Sequence, residues 1–221
     1  MDKKHIVIIG PIGVGKTILA RGLSENLGVV FEKEDKETEE LKKFYKDPKT
    51  NAYWFQIFKG CGRYKHHKKI TEYCFNSGKG AVQDEGFFED KIFAKTQLIQ
   101  GYITEDQYKA YLEMNKIFIS CLEGPDVIIY LRATADECME RIKKRGRDYE
   151  KSIEMSYIKT LCMCYDEEVK EIARIIPVID VNNAKFVTPE EIIKGKYRPI
   201  FDQFYGPFNQ NRGQKLVDTY P

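Results

Sequence analysis

The stretch Gly-Pro-Ile-Gly-Val-Gly-Lys-Thr at residues 10–17 decides the fold of this 221-residue chain. It matches the pattern G-x-x-x-x-G-K-[S/T], in which a glycine-rich loop turns its backbone N–H groups around a phosphate. An apolar run at 6–9 precedes the loop, and a segment with the apolar spacing of a helix follows it at 18–23. A strand, a loop and a helix in this order bring an anion to a helix N-terminus. The sequence therefore predicts a site for a nucleoside triphosphate.

The individual residues of the loop predict how that ligand is held. Gly10, Gly13 and Gly15 let the backbone approach the phosphates closely. Lys16 is expected to neutralise the terminal phosphates of ATP, and the Thr17 hydroxyl is expected to hold Mg²⁺. A glycine-rich turn that binds nothing is the alternative, but it does not require the lysine and the threonine.

Composition limits the class of protein. The chain is 42% hydrophobic and 32% charged, which is typical of a globular protein with a real core. A net charge of +2 gives no general field for nucleic acid, and no apolar run is long enough for a membrane. The N-terminus leads directly into the first predicted strand, so we expect a cytoplasmic protein. The six cysteines fit no zinc spacing and are expected to be reduced thiols.

Strand-like and helix-like segments alternate along the chain, which favours an α/β fold. The five predicted strands are 5–10, 29–33, 80–84, 126–131 and 175–180. The helical patterns lie at about 16–27, 36–45, 50–77, 87–98, 104–122, 134–144 and 153–173. Such alternation predicts a five-stranded, mostly parallel sheet with helices on both faces. We place one domain at residues 1–196 and an irregular tail at residues 197–221.

Charged residues follow the predicted strands at the edge where ligands bind in sheets of this kind. Glu32 or Glu34, at the end of the second strand, is a candidate general base for an attacking hydroxyl. The same residues lie in a run of charges, so an ordinary solvated loop is an equal alternative. Asp84 ends the third strand and is a candidate ligand of the magnesium ion.

Three arginines near the fourth strand are typical of a lid over a migrating phosphoryl group. Arg141 and Arg145 lie one helical turn apart, and Arg147 follows a glycine that ends the helix. Guanidinium groups stabilise the charge of phosphoryl transfer with a fixed geometry. A basic, solvated helix end is the alternative.

These motifs, in this order, resemble the deoxynucleoside kinase family, which includes the kinases of deoxycytidine, deoxyguanosine and deoxyadenosine. The resemblance runs from about residue 4 to residue 183. It implies that Glu34, in Lys33-Glu34-Asp35, is the general base on the sugar 5′-hydroxyl, although the proline that usually follows is Asp35 here. It also implies that Asn182 lies against the adenine of the donor and that the protein is a homodimer.

The resemblance also assigns the acceptor site. Tyr45 and Glu150 correspond to the ligands of the sugar 3′-hydroxyl. Gln56, Arg63 and Asp90 correspond to the residues that bind the base, and the arginine–aspartate pair favours a purine over thymine. The aromatic side chains nearby could stack on a base or belong to the plain core; they are Trp54, Phe55, Phe87 and Phe88.

Glu85 departs from the family pattern, which has an arginine after the acidic residue of the third strand. A carboxylate at this position would repel a phosphate if it pointed inward. Lys91 or the lid arginines are then expected to compensate, and Glu85→Arg is expected to raise turnover. The sequence thus predicts transfer of a phosphoryl group from ATP to a deoxynucleoside. A nucleoside monophosphate kinase and a catalytically impaired nucleotide-binding protein remain as alternatives.

Overall fold

A computed structural model describes residues 4–33 and 38–205 of the chain. The predicted base Glu34 and residues 206–221 of the predicted tail lie outside these described residues. The other predicted site residues lie within them.

Five parallel strands form the central sheet. They are β1 His5–Ile9, β2 Val30–Lys33, β3 Ala81–Asp84, β4 Val127–Arg132 and β5 Val178–Asn182. Their order across the sheet is β2-β3-β1-β4-β5, and every neighbouring pair is parallel. The chain order reverses beside β1, so the loop after β1 opens into the crevice where such sheets bind ligands.

The helices connect the strands and cover the sheet. They are α1 Lys16–Leu27, α2 Glu39–Lys46, α3 Pro48–Ser77, α4 Asp90–Ile99, α5 Glu105–Ser120, α6 Ala135–Arg145, α7 Met155–Ile172, α8 Pro189–Ile193 and α9 Arg198–Tyr205. Short 3-10 turns at Phe87–Glu89 and Asp148–Glu150 precede α4 and α7.

The core lies between the sheet and its helices, and the central strands account for most of it. All residues of β1 are buried, as are the apolar residues of β4, because these strands are covered on both faces. Glycine C-caps in the left-handed conformation end α1 at Gly28, α3 at Gly78 and α6 at Gly146. The predicted parallel α/β architecture is confirmed, and all five predicted strands are present.

Local details differ from the sequence prediction. The fifth strand begins at Val178 rather than at residue 175. The helix predicted at 87–98 is a 3-10 turn followed by α4. The segment predicted as an irregular surface tail begins with α9, in which Phe201 is buried. Burial of an apolar side chain gives this segment a tertiary reason to fold, which its local composition does not reveal.

All six cysteines are free thiols, and three of them, Cys74, Cys138 and Cys164, are buried. Within residues 4–33 and 38–205, no helix combines the length and the apolar character needed to cross a membrane.

Candidate active site

A cavity of about 760 Å³ lies at the carboxyl ends of the strands. Its floor is the glycine-rich loop after β1, and its walls come from α2, α3, α4 and α6. The predicted residues that line it are Gly13, Gly15, Lys16, Thr17, Tyr45, Gln56, Arg63, Arg141, Arg145, Arg147 and Glu150. One continuous space therefore joins the phosphate loop, the arginines and the predicted base-binding residues.

The glycine-rich loop requires its glycines. Gly10, Gly13 and Gly15 have φ values of 147°, 85° and 107°, a region that side-chain-bearing residues rarely adopt. A Cβ on Gly13 would lie 2.5 Å from the main-chain oxygen of Cys138, and one on Gly10 would lie 2.4 Å from that of Leu131. The loop is thus both left-handed and tightly enclosed, as is typical of backbone loops that bind phosphate.

Lys16 lies buried within this loop. Its Nζ donates to the main-chain oxygen of Gly10 at 2.6 Å and lies 3.2 Å from Oε1 of Glu85. The ammonium group therefore already has a carboxylate neighbour.

Thr17 and Asp84 meet at the start of α1 and the end of β3. The Thr17 hydroxyl donates to Oδ2 of the fully buried Asp84. Among residues 4–33 and 38–205, no group of three or more His, Cys, Asp or Glu side chains could hold a metal by itself. A hydroxyl beside one carboxylate fits Mg²⁺, which commonly takes only one or two protein ligands and completes its shell with phosphate oxygens and water.

Glu85 points inward, and its compensating cations differ from those expected. Its Oε2 accepts from Nη2 of Arg63 at 2.7 Å, while Oε1 faces Lys16. Lys91 instead pairs with Glu168 at 2.9 Å. The backbone of Glu85 has φ 70°, an uncommon conformation for a residue with a side chain. The strand end therefore aims this carboxylate between two cations.

Arg63, Asp90 and Gln56 form a buried cluster. Nη1 of Arg63 donates to Oδ1 of Asp90, and Nε2 of Gln56 donates to Oδ2 at 3.0 Å. Tyr111 also donates its hydroxyl to Oδ2 of Asp90. Burial and the adjacent carboxylate raise the pKa of Tyr111 well above its usual value, so this hydroxyl keeps its proton.

Two further residues, Phe93 and Gln97, line the cavity although the sequence did not single them out. Both lie on the face of α4 that carries Asp90, at spacings of three and seven residues. That spacing was available in the sequence, because residues three, four and seven apart share one face of a helix. Arg63 stacks its guanidinium over the Phe93 ring at 4.8 Å.

Three of the four candidate stacking aromatics do not line the cavity. Trp54 is 74% exposed on the outer side of α3, and Phe87 is fully buried in the core. Neither of these side chains lines the cavity, and neither does Phe88. Phe55 does line it, and its ring stacks on that of Phe44 with 4.8 Å between the ring centroids. One residue along a helix turns a side chain by about 100°, so tertiary packing decides which aromatic faces the ligand.

The arginines line the cavity but differ in their contacts. Arg141 donates to the main-chain oxygens of Asn183 at 2.9 Å and Ala184 at 2.8 Å. Arg145 donates two hydrogen bonds to Glu150 at 3.0 and 2.7 Å, and Arg147 approaches the same carboxylate at 3.4 Å. Arg141 also donates to the main-chain oxygen of Val14 at 3.2 Å, so it links the loop after β5 to the phosphate loop. A lid role of the three arginines stays a prediction.

Asn182, predicted to lie against the adenine of the donor, is the last residue of β5, just before the loop that follows this strand. That side chain does not line the cavity; its Oδ1 accepts from the N–H of Ala184 at 3.1 Å. Ala184 and Phe186 line the cavity instead. Asn183 donates to the main-chain oxygen of Val14 at 2.7 Å and so fixes this loop against the phosphate loop.

Glu32, the alternative candidate for the base, lies elsewhere. Its carboxylate contacts His66 at 3.2 Å and Lys69 at 3.4 Å, and it does not line the cavity. Tyr45, by contrast, does line the cavity, and burial raises the pKa of its hydroxyl well above the usual value. The role of Glu34 itself stays a prediction.

Glu89 is a third residue near the cavity, besides Phe93 and Gln97, that the sequence alone does not single out. It is fully buried beneath the phosphate loop and accepts from the N–H groups of Gly10 at 3.3 Å and Gly86 at 3.1 Å. The Tyr165 hydroxyl donates to it as well. Burial raises the pKa of Glu89 to about 7. This carboxyl group positions both loops that border Lys16.

Comparison with known proteins places this geometry in a family. The family model described as deoxynucleoside kinase matches residues 6–200. Deoxyadenosine kinase of Dictyostelium discoideum is 36% identical over 205 residues, which is 90% of this chain and 82% of that protein. Deoxyguanosine kinase of Bacillus subtilis is 32% identical over 177 residues, which is 80% of this chain and 83% of that protein.

A solved structure agrees with the sequence relatives. The structure of deoxyadenosine kinase from M. mycoides with bound dATP matches with a TM-score of 0.75 and 28% identity, covering 86% of this chain and 97% of that chain. Fold, loop and sequence agree over most of the length. The chain therefore belongs to the deoxynucleoside kinase family, and it is a phosphotransferase with a P-loop kinase fold.

Proposed function

We propose that the protein transfers the γ-phosphoryl group of ATP to the 5′-hydroxyl of a deoxynucleoside, with a purine as the favoured base. The cavity supports this proposal, because it joins the phosphate loop at Lys16 to the buried polar cluster at Arg63 in one space. A phosphate donor and a neutral deoxynucleoside can then lie end to end in this cavity. Phosphoryl transfer depends mainly on such positioning and on stabilisation of charge.

The donor end has the charges that the reaction needs. Lys16 and the backbone N–H groups of the loop bind the terminal phosphates. Arg145 and Arg147 stand at the rim and stabilise charge on the migrating group. Thr17 and Asp84 would hold Mg²⁺, which neutralises the phosphate oxygens when bound.

The acceptor end has the groups that a deoxynucleoside needs. Tyr45 and Glu150 line the cavity and are assigned to the sugar 3′-hydroxyl. Glu34 is assigned as the general base that accepts the proton of the 5′-hydroxyl. Phe55 and Phe93 provide apolar walls for the base.

The rejection of thymine rests on the cluster around Asp90. Both Nη groups of Arg63 and the Nε2 group of Gln56 donate to carboxylates or to a main-chain oxygen. Thymine presents two carbonyl oxygens that need donors, so it is a poor match for a site whose donors are engaged. The names of the relatives, which include a deoxyadenosine kinase and a deoxyguanosine kinase, point in the same direction.

A steady-state kinase assay tests the proposal. The four deoxynucleosides and their 5′-monophosphates are offered with ATP and Mg²⁺, and the products are separated by chromatography. We expect the highest kcat/KM for a purine deoxynucleoside and the lowest for thymidine. Phosphorylation of monophosphates alone would establish the alternative acceptor, and no transfer to any of them would contradict the proposal.

The Lys16→Ala variant tests whether the phosphate loop is needed for phosphoryl transfer. It should lose transfer by about 10²-fold or more while still binding a deoxynucleoside, since Lys16 serves the donor phosphates. Near-normal turnover would contradict the assignment of the loop. The family resemblance further implies a homodimer, which sedimentation velocity of the purified protein will test.

A further inference from the structure

Gln97 has a buried acceptor that nothing in the described protein satisfies. The residue lies on α4, is 1% exposed, and lines the cavity. Its Oε1 has no hydrogen-bond partner among residues 4–33 and 38–205. Buried amide oxygens are nearly always hydrogen-bonded, so an unpaired one on a residue that lines a cavity points to a partner that the ligand brings.

The surrounding hydrogen bonds fix which atom of the Gln97 amide is left over. Nε2 of Gln56 faces two acceptors on Asp90, the main-chain oxygen at 3.1 Å and Oδ2 at 3.0 Å. The Oε1 atom of Gln56 must therefore face Gln97. Since this oxygen needs a donor, Gln97 donates to it with Nε2, at 2.9 Å. A flipped Gln97 amide would set two oxygens against each other. Asp90 thus determines, through Gln56, that Gln97 keeps a free acceptor.

The same chain of bonds leaves the cluster rich in acceptors. Each Nη atom of Arg63 donates one hydrogen bond to a carboxylate, of Asp90 or Glu85, and Nε2 of Gln56 donates to Asp90. The carbonyl oxygens of Gln56 and Gln97 both retain accepting capacity. A base that enters this end of the cavity meets acceptors, so it binds best when it presents N–H donors.

We propose that Gln97 is a specificity-determining residue whose Oε1 accepts a hydrogen bond from the exocyclic amino group of the nucleobase. The inference rests on the proposed function and narrows its substrate class to bases that carry an amino group, namely adenine, guanine and cytosine. Thymine and uracil lack such a group and leave the Gln97 oxygen buried and unpaired, and a site of this kind rejects them strongly.

Direct binding of nucleosides tests this role without depending on phosphoryl transfer. Isothermal titration compares each natural deoxynucleoside with the analogue that lacks its amino group: deoxyadenosine with purine 2′-deoxyriboside, deoxyguanosine with deoxyinosine, and deoxycytidine with its 4-deamino analogue. For the base that binds tightest, we expect loss of the amino group to raise Kd about tenfold or more in the unaltered protein.

The Gln97→Met variant keeps the side-chain volume and removes the acceptor, so the same ratio should fall to about threefold or less. Gln97→Leu gives a second apolar replacement, in case methionine disturbs the fold. Gln100→Met is the matched control: Gln100 is the C-cap residue of the same helix, donates to Oγ1 of Thr160 at 2.6 Å and does not line the cavity. That variant should keep the ratio of the unaltered protein.

The outcomes separate the inference from the proposed function. An unchanged ratio in folded Gln97→Met and Gln97→Leu would overturn the inference alone, as would equal binding of each pair by the unaltered protein. Failure of the unaltered protein to bind any deoxynucleoside would overturn the proposed function and the inference together.

Discussion

Lys16 and Arg63 share one carboxylate, that of Glu85: its Oε1 lies 3.2 Å from Nζ of Lys16, and its Oε2 lies 2.7 Å from Nη2 of Arg63. Glu85 therefore links the phosphate loop to the base-recognition cluster. A phosphate that approaches Lys16 competes with a carboxylate already present, and charges at this depth are weakly screened by solvent.

We predict that Glu85→Gln binds ATP more tightly, with Kd lowered about tenfold, because Lys16 loses the competing carboxylate. Titration of ATP into the nucleoside-free protein measures the effect. Glu140→Gln, at the exposed rim of the same cavity, controls for the general loss of negative charge. Weaker ATP binding in Glu85→Gln would show that Glu85 supports the donor site.

Glu85→Arg should have the opposite effect from the one that the sequence suggested. An arginine at this position would face Lys16 and Arg63, and it would remove the carboxylate that pairs with both. Loss of a buried partner destabilises by about 3–5 kcal/mol. We therefore expect a lower midpoint of urea unfolding and lower turnover. A gain in kcat with unchanged stability would contradict this reading of the contacts.

Glu34 and Glu32 offer a matched pair for the general base. Glu34→Gln should lower kcat by about 10²-fold or more with little change in nucleoside Kd, since it removes a proton acceptor and keeps the shape. Glu32→Gln should stay near normal, because Glu32 pairs with His66 and Lys69 away from the cavity. Kinetics of both variants decide the assignment, and the reverse pattern would move the base to Glu32.

Phe55 and Trp54 are neighbours in sequence, but their substitution should affect deoxynucleoside binding to different extents. Phe55→Ala should weaken deoxynucleoside binding about tenfold or more, because it removes an aromatic wall of the cavity. Trp54→Ala should change this Kd by about twofold or less, since a scattered exposed side chain contributes little to a distant site. Titration calorimetry measures both, and equal losses would contradict the placement of the two rings.

Glu89 should make stability depend on pH. Burial raises its pKa from 4.5 to about 7, so between these values the folded protein holds a proton that the unfolded chain has lost. Its contribution is therefore fully present below pH 4.5 and is lost as pH rises through about 7. This pKa shift corresponds to a fall in the free energy of unfolding on the order of 3 kcal/mol across this pH range.

Urea unfolding at pH 5 and pH 8 tests this expectation. Glu89→Gln cannot titrate, so the fall in stability between the two pH values should be smaller than in the unaltered protein. Glu113→Gln, whose side chain is exposed on α5, should retain the full fall. An equal pH dependence in all three proteins would show that Glu89 stays ionised when buried.

Much of the fold, and several residues that line the donor end of the cavity, could be predicted from local sequence. The glycine-rich loop between a strand and a helix predicted the parallel α/β fold, because its spacing and its glycines have strict backbone requirements. Alternating strand and helix patterns located all five strands for a related reason, since buried parallel strands read as short apolar runs. The lysine, the threonine and Asp84 followed from the motif and from the strand ends.

Other residues could not be placed from sequence, because their role depends on side-chain direction and on distant partners. Trp54 and Phe55 are adjacent in sequence, yet only packing of α3 against its neighbours decides which of them faces the cavity. The contacts of Glu85 also depend on tertiary structure, since Lys16 and Arg63 lie far from it along the chain.

The sequence by itself determined the loop, the order of the strands along the chain and the family, because backbone conformation and apolar periodicity are local properties. Only the tertiary structure decided that Asp90 orients Gln56, that Gln56 orients Gln97, and that one acceptor remains beside the cavity. Hydrogen-bond polarity passes between side chains on different helices, so it exists only when the helices have packed.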